Sequence, residues 1–180
     1  YESLRNGEYG RNIWRNPLDR MELRGWYSTW RPNDSKFGIV PKRDKGKHEG
    51  IDLYASVGTP VRACVDGLIV FNSTAGGYGN TVVLKGYYES KLYYFAYSHL
   101  REKSKFIADK SWVKAGEVIG HTGQSGNAES LTSEKTHLHF EVRPLKEWGD
   151  KSKEFRGRVN PLEEIKELFV VLDPKKEKQI

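Results

Sequence analysis

From residue 51 onward the chain alternates short apolar runs with turn residues, a rhythm of period two and not of 3.6. Runs at 51–54, 61–65, 68–72, 80–84 and 92–97 are rich in β-branched, aromatic and other apolar residues, and glycines at 58, 67, 76, 77, 79 and 86 punctuate them. The pattern predicts short antiparallel strands joined by hairpins. VKAGEVIG at 113–120 predicts a turn into a further strand, and a polar, glycine-bearing loop at 122–136 leads to a last strand that starts at His137. Part of that loop, 124–135, either forms a wall of a groove or is a plain solvated connection. Helix is expected in one place. Leu162, Ile165, Leu168 and Phe169 share one face over 161–171, with Asn160 as cap and Pro161 in the first turn. The tail from 173 to 180 reads as frayed. The expected fold is therefore mainly β, an antiparallel sheet with a groove and a short C-terminal helix.

Residues 1–32 break this rhythm. They are rich in Arg, Trp and Asn, carry Pro17 and Pro32, and offer only Met21-Glu22-Leu23 as an apolar hint. They read as an extension that rests on the main body through Trp14, Trp26 and Trp30. The expected division is an extension at 1–32, a main domain at 33–162, and a helix and tail at 163–180.

Composition narrows the function classes. A chain of 180 residues suits one domain with extensions, and such a chain buries about 70% of its unfolded surface. Its 30 Lys and Arg against 24 Asp and Glu give a net charge of +6, which favours polyanionic surroundings such as nucleic acid, anionic lipid or the acidic polymers of a bacterial envelope. Plain solubility is the competing explanation. Charges of both signs mix in KSKEFRGR and DPKKEKQ, and no basic helix interleaved with aromatics occurs, so no nucleic-acid partner is expected. Cys64 is the single cysteine, which excludes an internal disulfide; between Ala63 and Val65 it reads as a buried apolar residue and a poor nucleophile. No run approaches the roughly 20 apolar residues of a membrane helix, so no membrane insertion is expected. The sequence shows no secretory leader, and its opening on Tyr1 reads as a mature form or an excised domain.

Two short spacings carry candidate chemistry. His48 and Asp52 flank Glu49-Gly50-Ile51 in HEGID, and His137 and His139 flank Leu138 in THLHFEV. Alternate side chains of a strand share a face, so both imidazoles of HLH point the same way. An isolated His-x-His is equally an exposed strand pair, but two such pairs beside strand signals point to a metal site. Three nitrogen or oxygen ligands with one open position are what a hydrolytic zinc ion needs.

Several motifs together carry a family resemblance: FG at 37–38, HEGIDL at 48–53, GTPVRACVDGLIV at 58–70, YGNTVVL at 78–84, YSHL at 97–100, VKAGEVIG at 113–120, TGQSGNA at 122–128 and HLHFEVR at 137–143. Over roughly residues 33–162 the chain resembles the lysostaphin/LytM-type zinc metallopeptidases, bacterial enzymes that cut the cross-links or stem peptides of peptidoglycan. The resemblance implies one zinc ion held by His48, Asp52 and His139. It places two further active-site histidines at His99 and His137. It implies a zinc-activated water attacking the scissile carbonyl, with His99 and His137 orienting it, taking its proton or stabilising the oxyanion. The expected setting is the bacterial cell envelope, periplasmic or extracellular, reached alone or as a domain of a larger protein.

The same resemblance leaves alternatives. A non-catalytic relative would serve as a peptidoglycan-binding or amidase-activating module, though such relatives have lost ligands that are present here. VRACVDGLIV and VKAGEVIG also resemble half-motifs of biotinyl and lipoyl carrier domains, but no lysine sits at a hairpin tip such as Gly76-Gly77. Some relatives fill zinc's fourth position with an inhibitory side chain, for which Asn16 and Asn33 are the candidates here. Residues 1–32 and the aromatic stretch 87–97 are not fixed features of the family, and either could shape or plug the groove. His121 is read as exposed surface, Glu141 as either a carboxylate behind His139 or a strand-pairing residue, and Asn80 and Arg143 as scaffold or substrate contacts. Relatives divide between glycyl bonds and D-alanyl-diaminopimelate bonds. The directly cross-linked wall is favoured here, because nothing like a wall-targeting domain follows residue 162.

Overall fold

Strand β10 (His137–Arg143) shows how the sequence divides itself between two faces. Leu138, Phe140 and Val142 enter the main hydrophobic core, and His137, His139, Glu141 and Arg143 alternate with them on the other side of the pleat. The structure is a computed structural model, and it describes residues 13–24, 32–40, 46–132, 135–144 and 155–170.

The remaining strands are β1 (Gly38–Ile39), β2 (Lys47–His48), β3 (Ile51–Tyr54), β4 (Pro60–Arg62), β5 (Gly67–Thr74), β6 (Asn80–Tyr88), β7 (Lys91–Leu100), β8 (Trp112–Val113) and β9 (Val118–His121). Six of the strands form an antiparallel sheet in the order β3-β10-β7-β6-β5-β8. β1 pairs with β2, and β4 pairs with β9. The mainly β, antiparallel architecture read from the sequence is the one observed.

Strand limits differ from the sequence reading for physical reasons. The run at 61–65 is a strand only to Arg62, because the Cys64 amide donates to the Tyr97 hydroxyl (3.1 Å) in place of a neighbouring strand. That hydroxyl also lies 3.0 Å from the Cys64 sulfur, and burial pushes the thiol pKa up, which suits a packed and unreactive cysteine. β6 and β7 run on into one long hairpin. The aromatic stretch 87–97, one of two candidates for shaping the groove, lies in this hairpin, as strand at 92–97 was expected to, and puts Tyr88, Tyr93, Phe95 and Tyr97 in the core.

The C-terminal helix is also shorter than its pattern. Asn160 caps it as expected, its side chain accepting from the Leu162 amide at 3.1 Å, but the helix α1 (Pro161–Glu164) is a single turn. Ile165 is already extended at φ −107, ψ 108. Burial explains the break: the extended path puts both Ile165 and Leu168 into the core, while Phe169, expected on the same face, stays 64% exposed. Val171 lies outside the described residues.

Residues 13–24 contribute to the same core. Leu18, Met21 and Leu23 are 1–2% exposed, and Trp14 meets Tyr88 and Phe95 edge-on, 5.9 Å between centroids. Leu23 bridges to Leu53, the Tyr54 amide donates to the Glu22 carbonyl (2.7 Å), and the Arg24 amide donates to the Asp52 carbonyl (2.9 Å). This segment thus behaves as a further short edge beyond β3. Trp26 and Trp30, the other expected contacts, lie outside the described residues, as does the tail expected to fray. Among the described residues no helix is long and apolar enough to cross a membrane.

Candidate metal centre

Register places the first two candidate ligands. In the β3–β10 ladder Asp52 lies directly opposite His139, both on the face away from the main core. His48 ends β2 and returns over this pair through Glu49 and Gly50. A Cβ on Gly50 would sit 2.4 Å from the Phe140 carbonyl oxygen and 2.9 Å from Glu141 Cγ, so only glycine lets this connection lie against β10.

The three ligand atoms converge. Asp52 Oδ1 is 3.1 Å from His48 Nε2 and 2.9 Å from His139 Nδ1, and the candidate ligand atoms of the three residues all lie within 4.8 Å of one another. The opposite nitrogens fix the tautomers: His48 Nδ1 lies 2.8 Å from the Lys36 carbonyl and His139 Nε2 lies 2.9 Å from Glu141 Oε1, so each donates outward. Two imidazole lone pairs then face one carboxylate oxygen. Three acceptors at such spacing repel unless a cation or a proton lies between them, and two imidazole nitrogens with one carboxylate oxygen are a donor set that fits a metal ion.

Charges around the site agree. Burial alone would lower the His139 pKa, but hydrogen bonds and charge from Asp52 and Glu141 outweigh it and raise the group to about 9. Burial alone would raise the Asp52 carboxyl, yet His48, His137 and His139 hold it well below the usual carboxylate range. Glu141, fully buried, is likewise held down by His139, Arg143 and Arg158. Its other oxygen lies 2.8 Å from Arg143 Nε and 3.0 Å from Arg158 Nε. The sequence left the role of Glu141 open; in the structure it stands directly behind His139.

Two more histidines face the same groove. Between Asn80 and Val82 the β6–β7 register slips, leaving one extra residue on β7, and His99 adopts a left-handed φ of 60. Such a bulge re-aims a side chain that regular pleating would have fixed. His99 Nδ1 donates to the Ser125 carbonyl (2.8 Å), and the Lys135 carbonyl at 2.9 Å makes Nδ1 the protonated nitrogen of His137. Both rings therefore keep a lone pair on Nε2; they stand edge-to-face, 4.9 Å apart. Burial and the neighbouring His139 push His99 down to about 4. His137 falls to about 3: burial lowers it, Asp52 opposes, and Arg24 and His99 add to the fall.

His48, Asp52, His99, His137 and His139 all line one groove of about 640 Å³. Asn127, Ala128 and Leu131, from the loop at 122–136, form part of its wall, so that loop is more than a solvated connection. His121 is outside the groove, half-exposed on β9, 3.6 Å from Glu102. Asn80 donates to the Leu100 and Arg101 carbonyls and serves the scaffold. Asn16 is not an inhibitory ligand here: its Oδ1 accepts from Trp14 Nε1 at 3.0 Å, and it does not line the groove. The Asn33 side chain lies outside the described residues. Several groove residues escaped the sequence reading, among them Tyr78, Glu49 and Arg24. Tyr78 stacks at a tilt on His139 (5.2 Å) and donates to Glu49, and Arg24 reaches Asp52 across the sheet edge. Tyr78 lies in YGNTVVL and Glu49 in HEGIDL, whereas nothing in the pattern around Arg24 marks it.

Known proteins place the chain in a family. A family model described as Peptidase family M23 matches residues 46–153. The DD-carboxypeptidase/endopeptidase Mpg of Neisseria meningitidis is 42% identical over 96 residues, 53% of this chain and 20% of that protein. The murein hydrolase activator NlpD of Escherichia coli is 32% identical over 138 residues, 75% of this chain and 31% of that protein. The chain thus spans between a fifth and a third of the length of these curated relatives. Among solved structures, the catalytic domain of the antimicrobial peptidase lysostaphin from Staphylococcus simulans superposes with a TM-score of 0.54 at 27% identity, over 71% of this chain and 86% of that one. A zinc-containing peptidase from Vibrio cholerae gives 0.55 at 26% identity, over 73% of this chain and 36% of that one. The family model covers both halves of the His-Asp-His cluster and more than half of the sequence, and the chain belongs to peptidase family M23.

Proposed function

We propose that the chain is a zinc-dependent endopeptidase acting on peptide cross-links or stem peptides of bacterial peptidoglycan, in the cell envelope. The observation that carries this reading is the convergence of three lone-pair atoms beside two unligated imidazoles in one groove. His48 Nε2, Asp52 Oδ1 and His139 Nδ1 would hold the ion, and His99 and His137 would act beside it. A bound zinc ion supplies a site that lowers the pKa of water to about 7 and polarises a carbonyl oxygen.

The chain's own residues do the rest. His137 and His99, kept neutral by burial, present Nε2 as acceptors for the attacking water. One accepts its proton, and as imidazolium becomes the donor to the oxyanion or the leaving amine. The carbonyls of Lys135 and Ser125 hold both rings in the orientation this requires.

Of the two bond types, D-alanyl-diaminopimelate suits the groove better. Lys47 and Arg156 line it, and their charge complements the carboxylate that a diaminopimelate side chain keeps after its amine is acylated in the cross-link, a group that a glycine bridge lacks. The similarity to a DD-carboxypeptidase/endopeptidase points the same way. The similarity to NlpD sustains a second reading, an activator that binds peptidoglycan without cutting it.

Mass spectrometry of fragments released from purified sacculi, directly cross-linked and glycine-bridged, separates the readings. Zinc-dependent release from directly linked sacculi by the native chain, and none by Asp52→Ala, is the expected result. Absence of release from both, by a chain verified to hold zinc, would favour the activator.

A further inference from the structure

Arg24 comes from the segment before the metallopeptidase motifs, yet its guanidinium lies in the groove against a candidate ligand. Nη2 is 2.9 Å from Asp52 Oδ2, the oxygen that faces neither His48 nor His139. Nη1 lies 3.2 Å from His137 Nδ1, but that nitrogen carries the proton donated to the Lys135 carbonyl, so the two are neighbours and Asp52 is the partner the guanidinium binds. Both charged groups are buried, Arg24 at 6% and Asp52 at 1% exposure, where a charge-assisted contact is strong and a misplaced one costly.

The arginine is held independently of the groove. Its backbone amide donates to the Asp52 carbonyl at 2.9 Å, tying it to the residue its side chain addresses. Ser35, itself fully buried, donates its hydroxyl to the Arg24 carbonyl (3.0 Å), and its Oγ lies 3.4 Å from Arg24 Nε. Main chain and side chain therefore place the guanidinium by separate contacts.

We propose that Arg24 is a positioning residue for the metal centre: by binding Asp52 Oδ2 it restricts the carboxylate to a single ligand oxygen, Oδ1, and so keeps one coordination position open for water and substrate. A carboxylate free to rotate can bind zinc through both oxygens and fill that position. The guanidinium also withdraws charge from the carboxylate, leaving a bound ion the stronger Lewis acid. This rests on the metal-site reading above.

Cobalt substitution of the full chain tests it, because visible absorption of Co(II) reports coordination number apart from turnover. The native chain should give an intense four-coordinate spectrum. Arg24→Met, which removes charge and donors at similar length, should give a weaker, higher-coordinate spectrum, with kcat on a stem-peptide substrate down about tenfold or more and KM little changed. Arg24→Lys keeps the charge but not the planar fork, and should fall between the two. A Met variant with the native spectrum and native kcat overturns the proposal. So does a zinc-loaded crystal structure of the native chain with both Asp52 oxygens on the ion, a measurement that needs no variant to fold. A native chain that takes up neither cobalt nor zinc overturns the metal-site reading itself, which distinguishes the two failures.

Discussion

At the scale of single residues, the site depends on which nitrogen of each histidine carries a proton. Glu141 sets this for His139, so Glu141→Gln should weaken zinc binding about 10–100-fold, as loss of a partner behind a ligand usually does. The same change leaves Arg143 and Arg158 facing a neutral amide in a fully buried place, a loss of about 3–5 kcal/mol by analogy with broken buried pairs. Chelator competition and urea unfolding read the two effects separately; unchanged zinc affinity would leave Glu141 only a structural part. His99→Ala and His139→Ala divide differently. The first should hold zinc and lose most turnover, the second should lose both, and retained turnover in either would refute the assignment. Acid adds a third test. In the metal-free protein His139 is raised to about 9, so below that pH an entering ion displaces a proton, and apparent zinc affinity should weaken by about tenfold per unit. Stability of the metal-free fold runs the opposite way. A pKa raised above its unfolded value contributes fully below about 6.5 and is lost as pH rises through about 9. A zinc affinity flat between pH 6 and 9 would contradict both statements.

At the scale of elements, the site is a register and two irregularities. The β3–β10 ladder was legible, because HLHFEV alternates and IDLY is strand-like, and opposing Asp52 to His139 follows once the two strands pair. Gly50 was visible as a residue but not as a requirement, which appears only when β10 lies beneath it. Gly50→Ala should therefore lower thermal stability and zinc affinity together, since relief of the 2.4 Å contact must move His48 away from Asp52; a variant with native zinc affinity would show that the connection can shift harmlessly. The bulge that turns His99 inward was not legible, because period-two reasoning has no term for an inserted residue. The short C-terminal helix was legible in its cap and first turn, but its end was not, for a related reason. Spacing favoured helix over 161–171, and the core took Ile165 and Leu168 in an extended path instead. Local pattern thus located strands and candidate ligands, while long-range packing decided ends, bulges and the pairing of β4 with β9.

At the scale of the whole molecule, the segment at 13–24 decides between an inhibitory extension and a built-in part. An inhibitory plug rests on a body that is complete without it, so its removal raises activity and leaves stability unchanged. The structure argues for the second role. Leu18, Met21 and Leu23 are buried in the same core as Phe140, and at about 1.5–3 kcal/mol for each buried side chain they contribute roughly 5–9 kcal/mol. That is comparable with the 5–15 kcal/mol net stability of an ordinary domain. Main-chain bonds from Tyr54 to Glu22 and from Arg24 to Asp52 also cover the outer edge of β3, and without them the strand that carries the candidate ligand Asp52 lies at an open edge. A chain shortened to begin at residue 25 should therefore lose cooperative thermal unfolding, or melt far below the full chain, and should show less peptidase activity. Calorimetry beside a sacculus-release assay gives both readings on one sample. A shortened chain that melts like the full one and cuts faster would mean that the apolar contacts of Leu18, Met21 and Leu23 are dispensable and that the segment obstructs the groove it borders.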